Sequence, residues 1–105
     1  MGKNQNGVVQ LPNSVITIGE RAFQRLDYMT QMYVGSNVTT IGLNAFGTNS
    51  GMVNFYINAE TPPTIGSNLF YNHGNNFTIF VPAASVNAYK TASGWSDYTS
   101  FIQAN

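Results

Sequence analysis

The dipeptide Ile18-Gly19 recurs 23 residues later as Ile41-Gly42 and, after 24 more, as Ile65-Gly66. Four residues past each Ile stand Ala22-Phe23, Ala45-Phe46 and Leu69-Phe70. A third column lies on alternating apolar positions: Val9 and Leu11, Met32 and Val34, Phe55 and Ile57, Ile79 and Val81. Three columns in one register define an internal repeat, and a period this short means a stack of identical supersecondary units. The one extra residue falls in loop 58–64, Asn-Ala-Glu-Thr-Pro-Pro-Thr, the kind of segment in which a repeat absorbs an insertion most readily.

Each unit has the same local logic. Around Met32 and Val34 the side chains alternate at period two, so Gln31 and Tyr33 point the other way. A polar turn and a second short extended stretch follow, over 15–18 in one unit and 38–41 in the next. The recurrent Gly then marks a turn or a close backbone approach. The segment carrying Ala-Phe reads as one helical or irregular turn that drops a Phe inward. Equivalent strands joined by a return path lie parallel and stack along one axis. The expected fold is a mainly β repeat solenoid: a right-handed, leucine-rich-repeat-like stack of short parallel strands with irregular or helical-turn returns. Its core columns are Ile18/Ile41/Ile65 and Phe23/Phe46/Phe70 with the strand residues above.

The last quarter departs from this pattern. Val86, Tyr89 and Ala92 have helical spacing, with Ser85 a candidate N-cap and Gly94 suited to the left-handed position after a helix. Trp95, Tyr98, Phe101 and Ile102 form an aromatic and apolar cluster expected to fold over the end of the stack. The expected organisation is one domain over 1–105, with about three repeats of 23–24 residues in 8–82 and a short helical cap in 83–105. Residues 1–7 are polar and offer no matching cap, so the chain is expected to be the C-terminal piece of a longer array. That open N-terminal end is a candidate surface for self-association.

Composition narrows the function. Of 105 residues only eight are charged, four of each sign, and there is no Cys. A balance without a basic stripe argues against nucleic-acid binding. No apolar run has the length to span a bilayer, so membrane insertion is not expected, and Met-Gly-Lys-Asn-Gln-Asn-Gly has no signal-peptide character. Without Cys, disulfides, thiolate nucleophiles and cysteine zinc sites are excluded together. The ionisable inventory is Lys3, Glu20, Arg21, Arg25, Asp27, Glu60, His73, Lys90 and Asp97. One His cannot build a multi-histidine metal site, and in Tyr-Asn-His-Gly-Asn-Asn it reads as a hydrogen-bonded turn residue rather than a base. Glu20 and Asp27 share a repeat and face turns, which leaves their pairing as a glycosidase dyad fortuitous. Gly19, Gly42 and Gly66 lie a repeat apart and form no phosphate loop. The fourteen Asn suit turns, whereas a Ca²⁺ site needs acidic loops. Asn37-Val-Thr and Asn76-Phe-Thr match the glycosylation pattern. No catalytic residue, metal site or cofactor is expected.

Leu11-Pro-Asn-Ser-Val-Ile-Thr-Ile-Gly-Glu-Arg-Ala-Phe23 closely resembles the repeat unit of BspA-like leucine-rich repeat proteins. Val81-Pro-Ala-Ala-Ser-Val-Asn-Ala-Tyr-Lys90, followed by Ser93-Gly-Trp-Ser-Asp-Tyr98, resembles the segment that ends many of them. The likeness runs from Val8 to the C-terminus. Two features depart from it. Leu26, Asn49 and His73 stand where the family often has Cys, and Asn76 stands where Met29 and Met52 begin the other strands. A looser last turn is expected from that Asn. The resemblance implies a bacterial cell-surface or secreted protein acting in adhesion and host contact, and it brings no catalytic residues.

The register also predicts an outer face. If Met32/Val34, Phe55/Ile57 and Ile79/Val81 point inward, then Gln10, Tyr33, Tyr56 and Phe80 form one outward column, beside Val8, Gln31, Asn54 and Thr78. Parallel strands spaced by about 4.8 Å would set three aromatic rings in a ladder next to hydrogen-bonding side chains. Tyr33, Tyr56, Phe80, Gln31, Asn54 and Thr78 are therefore the candidate partner-binding residues. The expected partner is a host or extracellular-matrix protein. A glycan on the aromatic column, a neighbouring domain packed there, or a purely structural role for the rings are the alternatives. Another is that the whole piece caps a longer solenoid. Trp95 and Tyr98 read as cap residues before they read as a sugar platform.

Overall fold

Five parallel strands carry the core face of the molecule, in the order β1 (Val8–Gln10), β3 (Gln31–Val34), β5 (Asn54–Ile57), β7 (Thr78–Val81) and β8 (Ile102–Ala104). A second parallel sheet stacks β2 (Thr17–Ile18), β4 (Thr40–Ile41) and β6 (Thr64–Ile65). The computed structural model describes residues 7–26, 28–74 and 76–105. Lys3 and the polar segment 1–6, Asn75, and Asp27 with its pairing to Glu20 lie outside the described residues.

The repeat arithmetic is reproduced as strand register. Val9 pairs with Met32, Met32 with Phe55 and Phe55 with Ile79, while Ile18, Ile41 and Ile65 align in the second sheet. Met32, Val34, Phe55, Ile57, Ile79 and Val81 are all fully buried, as alternation requires. Phe46 and Phe70 are buried too, whereas Phe23 and Ile65 are only partly covered. Phe23, Phe46 and Phe70 stack with centroids 5.7 and 5.9 Å apart.

The return segments are irregular turns, and they form a third hydrogen-bonded wall. Arg21, Phe23 and Arg25 donate their N–H groups to the carbonyls of Leu43, Ala45 and Gly47 in the next coil, at 2.8–3.1 Å. Asn44, Phe46 and Thr48 do the same to Ser67, Leu69 and Tyr71. The residues between them close i to i−3 turns, such as Ala22 N–H to Gly19 and Gly47 N–H to Asn44. This alternation puts two residues per coil at positive φ: Arg21 and Arg25, Asn44 and Thr48, Asn68 and Asn72. The recurrent Gly is a close-approach residue: a Cβ on Gly42 would lie 2.6 Å from the Glu20 nitrogen, and one on Gly66 2.6 Å from that of Leu43.

Two expectations about the third coil and the cap are corrected. Asn76 is exposed where Met29 and Met52 are buried, but Phe77, one residue on, is turned inward to 3 % exposure. Its ring packs 4.8 Å from Phe70, so the lost Met is replaced from the neighbouring position. The short helical cap expected in 83–105 is a 3-10 turn (Ala83–Ser85), a six-residue helix α1 (Val86–Thr91), and a further 3-10 stretch (Trp95–Phe101). Ser85 does not cap α1. Its hydroxyl donates instead to the Glu60 carbonyl at 2.7 Å. Gly94 has positive φ as expected, at 84°, but it opens the second 3-10 stretch, and the helix has already ended at an extended Ala92. A Cβ on Gly94 would meet the Ile65 side chain at 2.8 Å.

The last quarter also returns to the repeat. Ile102 pairs with Ile79, Phe80 with Gln103 and Val81 with Ala104, a step of 23 residues in each case. The cap is thus the fourth turn of the coil, in which helical segments replace the second-sheet strand and the return turn, and β8 opens the turn after it.

Candidate binding face

On the outer side of the five-stranded sheet, Gln10, Tyr33, Tyr56, Phe80 and Gln103 stand in one register column. Val8, Gln31, Asn54 and Thr78 stand in the next. Strand alternation puts them there, since the positions between the two columns, Met32, Phe55 and Ile79, point into the core. Tyr33 and Tyr56 stack with centroids 4.5 Å apart and planes 5° from parallel; Tyr56 and Phe80 stack at 4.9 Å and 15°. All six candidate residues are half-buried, so every one reaches solvent from a supported position. The Tyr33 hydroxyl donates to Gln31 Oε1 at 3.2 Å, tying the aromatic column to the polar one. Partial burial raises the Tyr56 hydroxyl above the ordinary phenol range, and the neighbouring Tyr33 hydroxyl raises it further. Tyr56 therefore stays a neutral hydrogen-bonding group at any physiological pH.

Stacking decides what the column can offer. Both faces of Tyr56 are covered by its neighbours, which leaves ring edges and hydroxyls directed outward. A sugar that stacks its C–H groups on an aromatic ring needs a free face. Only the outer faces of Tyr33 and Phe80, at the ends of the ladder, remain. Ring edges carry partial positive charge and favour carbonyl oxygens and the faces of other aromatic rings, which a protein surface supplies.

Of the other groups weighed in the sequence, His73 lies among aromatic rings, 4.8 Å from Phe101 and 5.2 Å from Phe77, with Nδ1 bonded to the Gly74 carbonyl at 2.7 Å. Among the described residues no cluster of three or more His, Cys, Asp or Glu side chains could hold a metal ion, and no helix is long and apolar enough to cross a membrane.

Sequence reasoning missed Asn49. It is 1 % exposed, and its side chain accepts from the Leu26 N–H at 2.7 Å and donates to the carbonyls of Phe23 and Phe46 at 2.8 and 2.9 Å. Its place in the column of Leu26 and His73, three residues after Ala-Phe, was the available signal. The sequence also did not reveal how the cap docks. The Tyr89 hydroxyl donates to the Ala59 carbonyl at 2.7 Å and Trp95 Nε1 to that of Pro63 at 2.9 Å, beside the Ser85–Glu60 bond. All three acceptors lie in the loop that carries the extra residue of the repeat.

A parallel stack of 23-residue coils with a supported, half-exposed sheet face is the architecture of a repeat-protein interaction module. The family model described as BspA type Leucine rich repeat region (6 copies) matches residues 3–93, and the chain belongs to this family. Its members are generally surface-associated, and leucine-rich repeats of this kind serve as protein-interaction modules, typically without enzymatic activity. No curated protein matches the chain at a significant level.

Proposed function

We propose that the outer face of the five-stranded sheet binds a host or extracellular-matrix protein, and that the chain acts in adhesion as part of a bacterial cell-surface or secreted protein. The observation that carries this reading is the stacked column Tyr33–Tyr56–Phe80 flanked by Gln31, Asn54 and Thr78. Rigid aromatic groups beside amide and hydroxyl partners bind at low entropic cost, since their positions are already set by the sheet. A protein ligand fits the outward ring edges better than a stacked sugar does.

A second reading is favoured by the cap. Ser85, Tyr89 and Trp95 anchor it to loop 58–64, which is the behaviour of an end-piece closing a solenoid. On that reading the aromatic ladder only stabilises the sheet, by roughly 0.5–1.5 kcal/mol per stacked pair.

A screen against extracellular-matrix proteins and a glycan array separates the readings. It compares the wild type with Tyr33→Ser/Tyr56→Ser after circular dichroism has established that the variant is folded. Protein binding that the folded variant loses is the expected result. Binding to neither array by the wild type would overturn the adhesion reading and leave the end-piece.

A further inference from the structure

We infer that the junction between the third coil and the cap is a binding site for a neutral, hydroxyl-rich ligand, a pyranose unit of a glycan, separate from the aromatic column. A cleft of about 530 Å³ opens there, lined in part by Asn68, Ser93, Ser96, Asp97 and Tyr98. That volume lies within the range of small-molecule sites.

The cleft exists because the hydrogen-bonded wall of return turns is interrupted. In the first two coils Arg21 and Asn44 donate their N–H groups to carbonyls of the following coil. Asn68 is the next member of that column, held at the same positive φ, and its N–H has no protein acceptor among the described residues. The following coil is here the cap, whose helical segments present no carbonyl at this rung. The next rung is occupied: the Phe70 N–H donates to the Tyr98 hydroxyl at 3.2 Å. An extended peptide therefore cannot continue the wall, because Tyr98 already fills the position its second carbonyl would take.

What remains is a compact site with one fixed donor, one carboxylate, the Asn68 side-chain amide and three serines, Ser67, Ser93 and Ser96, beside Tyr98. The Asp97 carboxylate has no ion-pair partner among the described residues. An anion would be repelled by Asp97. A cation would meet a single carboxylate and an inward N–H dipole of the wrong sign. A neutral diol satisfies both groups: one hydroxyl accepts from the Asn68 N–H while its neighbour donates to Asp97. Ser93 and Ser96 can serve either role. The half-buried Tyr98 ring supplies apolar surface for the C–H groups of a sugar.

The test follows backbone amide shifts of the full chain by NMR during titration with methyl glycosides of glucose, galactose and mannose, and separately with calcium chloride and inorganic phosphate. Saturable shifts centred on Asn68, Ser96 and Asp97 with at least one glycoside, in the millimolar range, are expected. Asp97→Ala and the isosteric Asp97→Asn should each weaken that binding by about tenfold or more, the effect of losing a hydrogen bond to a charged group. Asp97 is exposed, so the melting temperature should be unchanged in at least one of the two variants. Tyr33→Ser should leave glycoside binding intact, so failure of this site is distinguishable from failure of the sheet-face reading. The inference is overturned if no glycoside produces saturable shifts, if the shifts map to Tyr33 and Tyr56, or if calcium or phosphate occupies the same amides more tightly.

Discussion

Asn49 does with one side chain what three separate groups would otherwise do. Inside a coil whose polypeptide turns without helix or strand, the Leu26 N–H and the Phe23 and Phe46 carbonyls lack backbone partners, and the buried amide supplies them all. Asn49→Leu should cost about 2–4 kcal/mol, since it strands several buried polar groups while adding little apolar contact. Urea denaturation measures this directly. Thr48 is the opposite case. It is β-branched yet held at φ 57°, whereas the equivalent position of the next coil is Asn72, a residue that tolerates that conformation. Thr48→Asn should therefore stabilise the chain by roughly 0.5–1 kcal/mol, read from the same denaturation midpoint. The positive φ values were not legible beforehand, because Arg, Thr and Asn share no signature that separates these turns from a helical one.

At the scale of elements, the cap and the loop with the extra residue belong together. Loop 58–64 reads from sequence as a tolerated insertion, but its Ala59, Glu60 and Pro63 carbonyls are the acceptors on which the cap is hung. Tyr89→Phe and Trp95→Phe each leave one buried carbonyl unpaired, and each should lower stability by about 1–3 kcal/mol. Removal of residues 83–105 should have a larger effect, uncovering Phe70, Phe77 and Ile79 together. The truncated chain is expected to aggregate or to lose its cooperative thermal transition. An unchanged melting temperature would show that the segment is not a cap. The helical spacing of Val86 and Tyr89 was readable, but the short length of α1 was not. The chain must turn within the span of one coil to deliver Ile102 beside Ile79.

Across the whole molecule, stability rests on stacking and hydrogen bonding rather than on charge. Among the described residues the ion pair is the exposed Glu20–Arg21 contact at 3.8 Å, a kind worth little. Three phenols sense the fold in their titration. Burial raises Tyr89 well above its ordinary 10.0, and burial also raises Tyr98 and Tyr56. A raised value means the folded state holds its proton longer than the unfolded chain does. Stability from these groups is therefore complete below about pH 10 and is lost as the pH climbs above it toward the folded-state values. Melting temperature plotted against pH should fall steeply on the alkaline side. The Tyr89→Phe variant, although less stable at neutral pH, should show a shallower fall.

The repeat by itself determined the parallel register, the buried strand positions and the membership of the outer column. A period of 23 or 24 residues leaves one way to bring equivalent apolar positions together, and alternation then dictates which side chains face out. The stacking of Tyr33, Tyr56 and Phe80 follows from that register. That the stacking covers the ring faces and leaves their edges outward was settled by ring orientation, which no spacing encodes. Tertiary structure also decided the return to the repeat at Ile102, the inward turn of Phe77 and the role of Asn49. Each of these answers a requirement posed by the neighbouring coil: an open sheet edge, a space left by a missing Met, and backbone groups with no partner of their own. Such requirements arise only once coils are stacked, and a residue's own sequence neighbours carry no trace of them.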